Sequence, residues 1–104
     1  MVNKYRGEVE LILGQNTYIL CPTFSNVVEL ESHLNQGLFA IAKDFKNSDF
    51  KVNQVVAILY YGLSDKSDFK HIDEFAELIN QQGYLKYINQ AMQFLKYALG
   101  FVDE

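Results

Sequence analysis

The sequence predicts an α+β protein, mostly α, in which an N-terminal β-hairpin is followed by about five helices packed as a small bundle. Two observations favour this class. Strand-like patterns occur only at residues 5–13 and 17–21, and helical spacing of apolar residues continues from there to the end of the chain. Between the two regions, Pro22, Thr23 and Phe24 turn the chain out of the hairpin and into a first helix.

The hairpin, predicted over residues 5–21, rests on alternation and on a turn. One face of the first strand carries Tyr5, Gly7, Val9, Leu11 and Leu13, and the other carries Arg6, Glu8, Glu10 and Ile12. Such alternation is typical of a half-buried antiparallel strand. Residues 14–16 are the predicted turn, because Gly14 and Asn16 tolerate left-handed backbone geometry. A lone hairpin is marginal in water, so the helices must cover one of its faces.

Apolar spacing predicts helices at about residues 24–34, 38–46, 54–63, 71–82 and 84–100. Thr23 is the expected N-cap of the first helix, and Gly37 the expected left-handed residue after its end. Ser67 or Asp68 is expected to cap the fourth helix, which Gly83 closes.

The expected buried faces differ between helices. The first helix is expected to bury a stripe formed by Phe24, Val27, Val28 and Leu34. The third helix carries apolar residues on several sides, so it is expected to be buried on more than one face.

The last helix carries two apolar rows. The first is a core stripe of Ile88, Ala91, Met92, Leu95 and Leu99, and the second consists of Tyr87, Phe94, Ala98 and Phe101 with Tyr97 at its border. Together they cover an arc of about 240°, whereas an outer helix of a small protein needs about 100°. Either this helix is a central strut, or part of it meets another chain. In the second case the predicted partner-binding side chains are Tyr60, Tyr61, Tyr87, Phe94, Tyr97 and Phe101, since such aromatic groups favour interfaces.

Composition narrows the class of protein. The chain has 104 residues, 49% of them hydrophobic, which predicts a single domain over residues 1–104 with its own core. Its net charge is −4 and its nine Lys and Arg residues are scattered, so neither a nucleic acid nor a membrane surface is an expected partner. No apolar leader or membrane-length segment is seen, so a soluble cytoplasmic protein is expected. The single Cys21 fits a reducing compartment and is expected to be a small buried hydrophobe.

No arrangement of residues in the sequence indicates an active site. His33 and His71 are the only histidines, and a zinc site needs three or four ligands at recognisable spacing. The acidic segment at residues 65–68 lacks the central glycine of a calcium loop. Glu29 and Glu31 are two apart on a helix and therefore point in different directions. The sequence predicts no catalytic residue, no cofactor and no metal, and it favours a non-enzymatic protein.

Several short segments, in the same order over nearly the whole chain, resemble one family. They are Arg6-Gly7-Glu8-Val9, Gly14, Tyr18-Ile19-Leu20-Cys21-Pro22-Thr23-Phe24, Glu29-Leu30-Glu31, Val55-Val56-Ala57-Ile58-Leu59, Gly62-Leu63, Ala76-Glu77-Leu78-Ile79, Gly83, Phe94-Leu95 and Ala98-Leu99-Gly100. The Arg-Gly-Glu strand followed by the Pro-Thr-Phe helix start is the most specific part. These segments are similar to the small tail proteins of gene transfer agents and related tailed prophages. The family is described both as a tail-tube-associated protein and as a tail assembly chaperone.

The resemblance implies a tail assembly chaperone in the bacterial host cytoplasm. Such a protein would bind the long helical tape-measure protein while tube subunits polymerise around it, and contacts with the tail-tube subunit or with a second copy stay open. The alternative is a structural tail-tube or adaptor component retained in the particle, which could use the open hairpin edge for strand addition. A third reading, a small regulatory enzyme or antitoxin-like module, would need a ligand near His33, His71 or Glu29.

Overall fold

The structure is a computed structural model that describes residues 7–101. Its elements in chain order are β1 (Val9–Leu13), β2 (Asn16–Leu20), α1 (Phe24–Leu34), α2 (Leu38–Lys46), α3 (Val52–Gly62), α4 (Ile72–Gln82), a 3₁₀ turn (Tyr84–Tyr87) and α5 (Ile88–Ala98). This order confirms the predicted class of a hairpin followed by helices. No helix among the described residues combines the length and the apolar character of a membrane span.

The hairpin is antiparallel and shorter than predicted. Leu13 lies opposite Asn16, so the turn contains only Gly14 and Gln15, and Gly14 has the positive φ of 61° that such a turn favours. β1 begins after Gly7, whose φ of 75° is incompatible with an extended strand. The predicted strand residues 5 and 6 lie outside the described residues.

The inner face of β1 packs on the helices, as the alternation predicts. Val9, Leu11 and Leu13 are buried, whereas Glu10 and Ile12 are exposed. The inward side chains join the core, to which α3, α4 and α5 also contribute. The hairpin therefore gains from the helices the apolar cover that two strands alone lack.

α1 has the predicted bounds, but the residue that caps its end and the face that it buries differ from the prediction. The Thr23 hydroxyl accepts from the Asn26 N–H at 3.1 Å, which confirms Thr23 as the N-cap. The left-handed residue after the helix is Asn35, with φ 52°, so the prediction for Gly37 is wrong: Gly37 is the N-cap of α2, in an extended conformation. The predicted stripe is also wrong at Phe24 and Val28, which are 85% and 43% exposed, while Leu30 is fully buried.

α3 is the central helix, and its burial confirms the prediction. Every residue from 54 to 59 is buried, and the helix contacts α1, α4 and α5. It begins at Val52, before the predicted residue 54, because the Gln54 side chain accepts from the Lys51 N–H at 2.7 Å and closes the first turn.

α4 begins after His71, whose ring nitrogen accepts from the Asp73 N–H at 3.2 Å. The predicted caps at Ser67 and Asp68 are wrong because the chain first forms a separate turn, in which Phe69 N–H bonds to Lys66 O at 3.0 Å. Gly83 ends α4 with φ 94°, as predicted.

The last predicted helix is divided. Residues 84–87 form a 3₁₀ turn and only residues 88–98 are α-helical, because Tyr87, with ψ 4°, leaves the helical region between them. α5 packs against α2, α3 and β1, so it has neighbours on several sides.

A buried polar cluster joins the hairpin to α1 and to the end of α3. We call it the Asn26 junction, and it comprises Cys21, Asn26, Gly62, Leu63 and Lys66. The Asn26 amide donates to Cys21 O at 2.9 Å and lies 3.4 and 3.3 Å from the Gly62 and Leu63 carbonyls. Lys66 Nζ donates to Asn26 Oδ1 at 3.0 Å and to Leu63 O at 2.9 Å. Burial lowers the pKa of the Lys66 amine, against the opposing effect of Glu29.

Two glycines allow close packing beside this junction. A Cβ atom at Gly62 would lie 2.8 Å from Phe94 Cε1, and one at Gly7 would lie 3.0 Å from Pro22 Cγ and 3.1 Å from Tyr97 Cβ. Gly7, Pro22 and Gly62 all belong to the segments that carry the family resemblance. The three segments that contain these residues therefore meet at one place in the fold, where they allow close packing.

Candidate protein-binding surface

Three of the predicted partner-binding side chains lie inside the protein. Tyr87, Phe94 and Tyr97 are 2%, 0% and 8% exposed. The second apolar row of α5 turns inward at these positions because α3 and the hairpin lie against it. They do not form an exposed face in this structure, and the strut explanation applies to this part of the helix.

Tyr60 and Tyr61 are half-buried beside other aromatic groups. The Tyr60 ring lies 5.6 Å from that of Phe75, and the Tyr61 ring lies 5.1 Å from that of His33. The Tyr61 hydroxyl is 3.3 Å from His33 Nδ1. Burial is the main cause that raises the pKa of the Tyr61 phenol. Partner binding by these two residues stays a prediction.

Of the six predicted partner-binding residues, Phe101 is the one that is largely exposed. Its side chain is 62% exposed and lies at the rim of an open groove. The groove lies between α2 and α5 and has a volume of about 590 Å³. Its apolar lining includes Ala42, Phe45, Phe50, Met92, Leu95 and Leu99. We call this surface the α2–α5 groove.

The apolar surface continues beyond the α2–α5 groove. Phe50 and Ile88 also line a neighbouring apolar depression, which is shared with Val52 and Leu85. Leu85 is 86% exposed. From Ile88 to Ala98 the surface follows α5 for about 15 Å at the helical rise of about 1.5 Å per residue, and Phe101 lies beyond the turn at Gly100. This length suits a helix of several turns lying along the groove.

The charged residues of the α2–α5 groove have one sign. Lys46 and Lys96 line it, and no carboxylate among residues 7–101 does, although the chain as a whole has a net charge of −4. Lys96 Nζ also lies 5.9 Å from the centre of the Tyr97 ring. A partner with acidic side chains beside an apolar stripe would complement this surface.

The hairpin offers a second surface at the outer side of β1. A slot of about 320 Å³ is lined by Glu10, Ile12, Gly14, Lys86, Tyr87 and Gln90. The Tyr87 hydroxyl and Gln90 Oε1 are buried there and lack a hydrogen-bond partner among the described residues. A buried polar group without a partner costs about 1–3 kcal/mol, and burial raises the pKa of the Tyr87 phenol.

The titratable residues singled out in the sequence have structural roles or lie on the surface. His33 and His71 are exposed. Glu31 caps α2 by accepting from the Leu38 N–H at 2.7 Å, and Glu29 accepts from the Ser25 hydroxyl at 3.4 Å. Within residues 7–101, no three His, Cys, Asp or Glu side chains converge as metal ligands. Cys21 is half-buried, less than predicted.

Sequence reasoning missed the α2–α5 groove because it treated each helix alone. The groove needs the packing angle of α2 on α5, which no periodicity reports. One local signal was available: Phe50 lies in a polar connector after α2, and it stacks on Phe45 with ring centres 4.5 Å apart. An aromatic residue in such a connector indicates that the connector takes part in packing.

Comparison with known proteins agrees with the resemblance. A family model described as phage tail tube protein, GTA-gp10, matches residues 6–100. No curated protein matches the chain, and no solved structure does.

Proposed function

Because the chain belongs to the phage tail tube protein family, GTA-gp10, we propose that it is a non-enzymatic structural component that stays in a phage-like tail. The observation that carries this proposal is the match over residues 6–100, almost the whole described chain. The family is described as a tail tube protein, and a structural tail protein acts by contacting other tail proteins.

The α2–α5 groove supports this role. It is open, apolar and lined by the cationic Lys46 and Lys96. Its occupant is an amphipathic helix of a neighbouring tail protein, with an apolar stripe flanked by acidic residues. Phe101 and Met92, exposed at its rim, are the anchors on this side.

The test is the protein content of purified particles. We expect quantitative mass spectrometry to find this chain in particles separated from host lysate by density gradient, at a constant ratio to the main tube subunit. Its loss on washing at high salt, or its absence from intact particles, would contradict a retained structural role. An unrelated cytoplasmic host protein measured in the same fractions controls for contamination.

The tail assembly chaperone is the second candidate, and the open apolar α2–α5 groove supports it as much as it supports a structural component. A groove that follows α5 for about 15 Å suits a helix of the tape-measure protein as well as one of a neighbouring subunit. In this case the chain acts in the host cytoplasm and leaves before the particle is complete. Co-expression would raise the soluble fraction of the tape-measure protein, and the same mass spectrometry would find the chain absent from particles.

A further inference from the structure

The backbone groups of β1 and β2 that point away from the hairpin follow from its register. Ser64 N–H donates to Ile19 O and Cys21 N–H donates to Gly62 O, both at 2.8 Å. The odd-numbered residues of β2 therefore direct their backbone groups away from β1. In an antiparallel pair, two residues directly opposite each other either both bond across the pair or both point their backbone groups away from it. Glu10 lies opposite Ile19, and Ile12 lies opposite Thr17. Glu10 and Ile12 thus point their N–H and C=O groups outward.

The two edges of the hairpin differ in what covers them. The segment around Leu63 covers the β2 edge, forming a bridge with Leu20. Among residues 7–101, no group bonds the outward N–H and C=O of Glu10 and Ile12. A second copy could pair with this edge only by bringing its own exposed Glu10 carboxylate onto the same face as that of the first copy, and like charges on neighbouring strands are destabilising. The open edge is therefore suited to a strand from a different protein.

The slot beside this edge has a defined chemistry. Glu10 places an exposed carboxylate on its outer side. The inner wall carries Gln90, whose buried Oε1 lacks a donor, and Lys86, whose Nζ contacts Gln82 Oε1 at 3.4 Å. Side chains of an added strand would alternate between these two sides.

We infer that the open edge of β1 binds an extended segment of a neighbouring tail protein by strand addition. A basic side chain of that segment lies beside Glu10, and a small hydroxyl side chain faces Gln90 on the inner wall. The inference rests on the proposed function in one respect only, the identification of the partner as a tail protein. The strand addition itself depends on the edge and its charge.

The test uses the purified full-length chain, labelled with ¹⁵N, and the synthetic peptide Lys-Ser-Val-Ser-Lys-Ser-Val at millimolar concentration. We expect the Glu10 and Ile12 amides to exchange rapidly in the free protein and to slow by about tenfold or more with peptide. The same peptide with Glu in place of Lys should bind about threefold more weakly, the effect of a cross-strand ion pair. Glu10→Gln should remove that preference.

A matched pair of proline variants separates the open edge from the stability of the hairpin. Ile12→Pro removes an outward N–H at the β1 edge, and Thr17→Pro removes the N–H of the residue opposite it on β2. We expect Ile12→Pro to weaken peptide binding by about fivefold or more, and Thr17→Pro to bind as the wild type does. Both variants are first checked by their amide spectra for an intact hairpin, and Glu10→Gln provides the charge test if either fails to fold.

Three results would overturn the inference. The Lys peptide leaves the Glu10 and Ile12 amides unprotected, or Ile12→Pro and Thr17→Pro lose binding equally, or these amides are already protected in a self-associated protein without peptide. None of these measurements uses particles. Absence of the chain from particles, found separately, would contradict the proposed function and leave the peptide result standing.

Discussion

The Asn26 junction and the α2–α5 groove are both places where helices meet, but their contacts are completed to different degrees. At the junction, the Asn26 amide and the Lys66 amine are hydrogen-bonded within the protein, and Gly62 admits Phe94 so closely that a Cβ would not fit. At the groove, an open volume of about 590 Å³ lies between α2 and α5, and Met92 and Phe101 are exposed.

The difference separates residues that hold the fold from residues available to a partner. A closed, hydrogen-bonded site loses stability when any part is removed. An exposed apolar side chain contributes little to the free energy of unfolding, and it gains from burial only when another molecule covers it. Substitutions in the two regions should therefore affect different measurements.

The largest effect on stability is expected at the centre of the junction. Asn26→Leu keeps the approximate size of the side chain but removes the amide that donates to Cys21 O and the oxygen that accepts from Lys66 Nζ. Cys21 O then keeps the Thr23 N–H, and Lys66 Nζ keeps Leu63 O. We expect a loss of about 3 kcal/mol in the free energy of unfolding, measured by urea denaturation. Asn80→Leu, at an exposed position of α4, is the control and should change stability by less than about 0.5 kcal/mol. Equal losses in both variants would show that the junction has no special role.

The next effect is on binding, at the groove. Phe101→Ser should weaken the contact with the tail partner by about 2 kcal/mol, as for an interface anchor, and leave the free energy of unfolding within about 0.5 kcal/mol of the wild type. The matched control is Phe39→Ser, since Phe39 is 79% exposed on α2 but does not line the groove. Co-purification with the particle and urea denaturation measure the two quantities. If Phe39→Ser weakens the contact as much as Phe101→Ser does, the α2–α5 groove is not the binding surface.

A smaller loss of stability is expected at the close contact beside the junction. In Gly62→Ala the new methyl group meets the buried Phe94 ring, and overpacking of this kind costs about 1–3 kcal/mol, partly offset by the better helix propensity of Ala. We expect a net loss of about 1 kcal/mol. A double-mutant cycle with Phe94→Leu checks the cause, because Gly62→Ala should cost less once the ring is gone. An unchanged cost in the Phe94→Leu background would exclude this contact as the reason.

The smallest effect is expected from pH, at the link between α2 and α3. Gln36 and Gln54 donate to Asp44 Oδ2 at 3.0 and 2.8 Å, and these bonds lower the pKa of Asp44. The unfolded chain therefore takes up the proton at a higher pH than the folded one does. Stability from this carboxylate is fully present above the unfolded pKa of about 4 and is lost as pH falls through the lower folded pKa.

Asp44→Asn should accordingly lose its stability difference from the wild type as pH falls from about 6 to about 3, measured by urea midpoints. The effect is small because solvent screens the carboxylate. Asp49→Asn is the control, since the Asp49 side chain makes no hydrogen bond within residues 7–101. A difference from the wild type that is the same at every pH would contradict the assignment.

Local signals predicted much of the fold. The bounds of α1 and α2, the Thr23 cap and the Gly83 end were all predicted, because they depend on residues close together in the chain. The predictions at Gly37, Ser67 and Asp68 were wrong because several residues near each helix end could act as its cap equally well. Asn35 and His71 occupy the deciding positions, which depend on how the next element packs.

The candidate surface was less predictable than the fold. Phe101 was chosen from its place on the last helix and is exposed, whereas Tyr87, Phe94 and Tyr97 were chosen by the same rule and are buried. Periodicity places residues on a face of a helix, but it does not show what lies against that face.

The sequence by itself determined the hairpin, the order of the helices and a last helix too apolar for an ordinary surface position, because alternation, helical spacing and caps are properties of neighbouring residues. Only the tertiary structure decided which apolar residues were covered. α3 and the hairpin cover the apolar row that contains Phe94. Gly100 then turns the chain with φ 101°, so that Phe101 lies exposed at the groove. The reason is that burial depends on contacts between segments far apart in the chain, and hydrophobicity alone does not specify which of them meet.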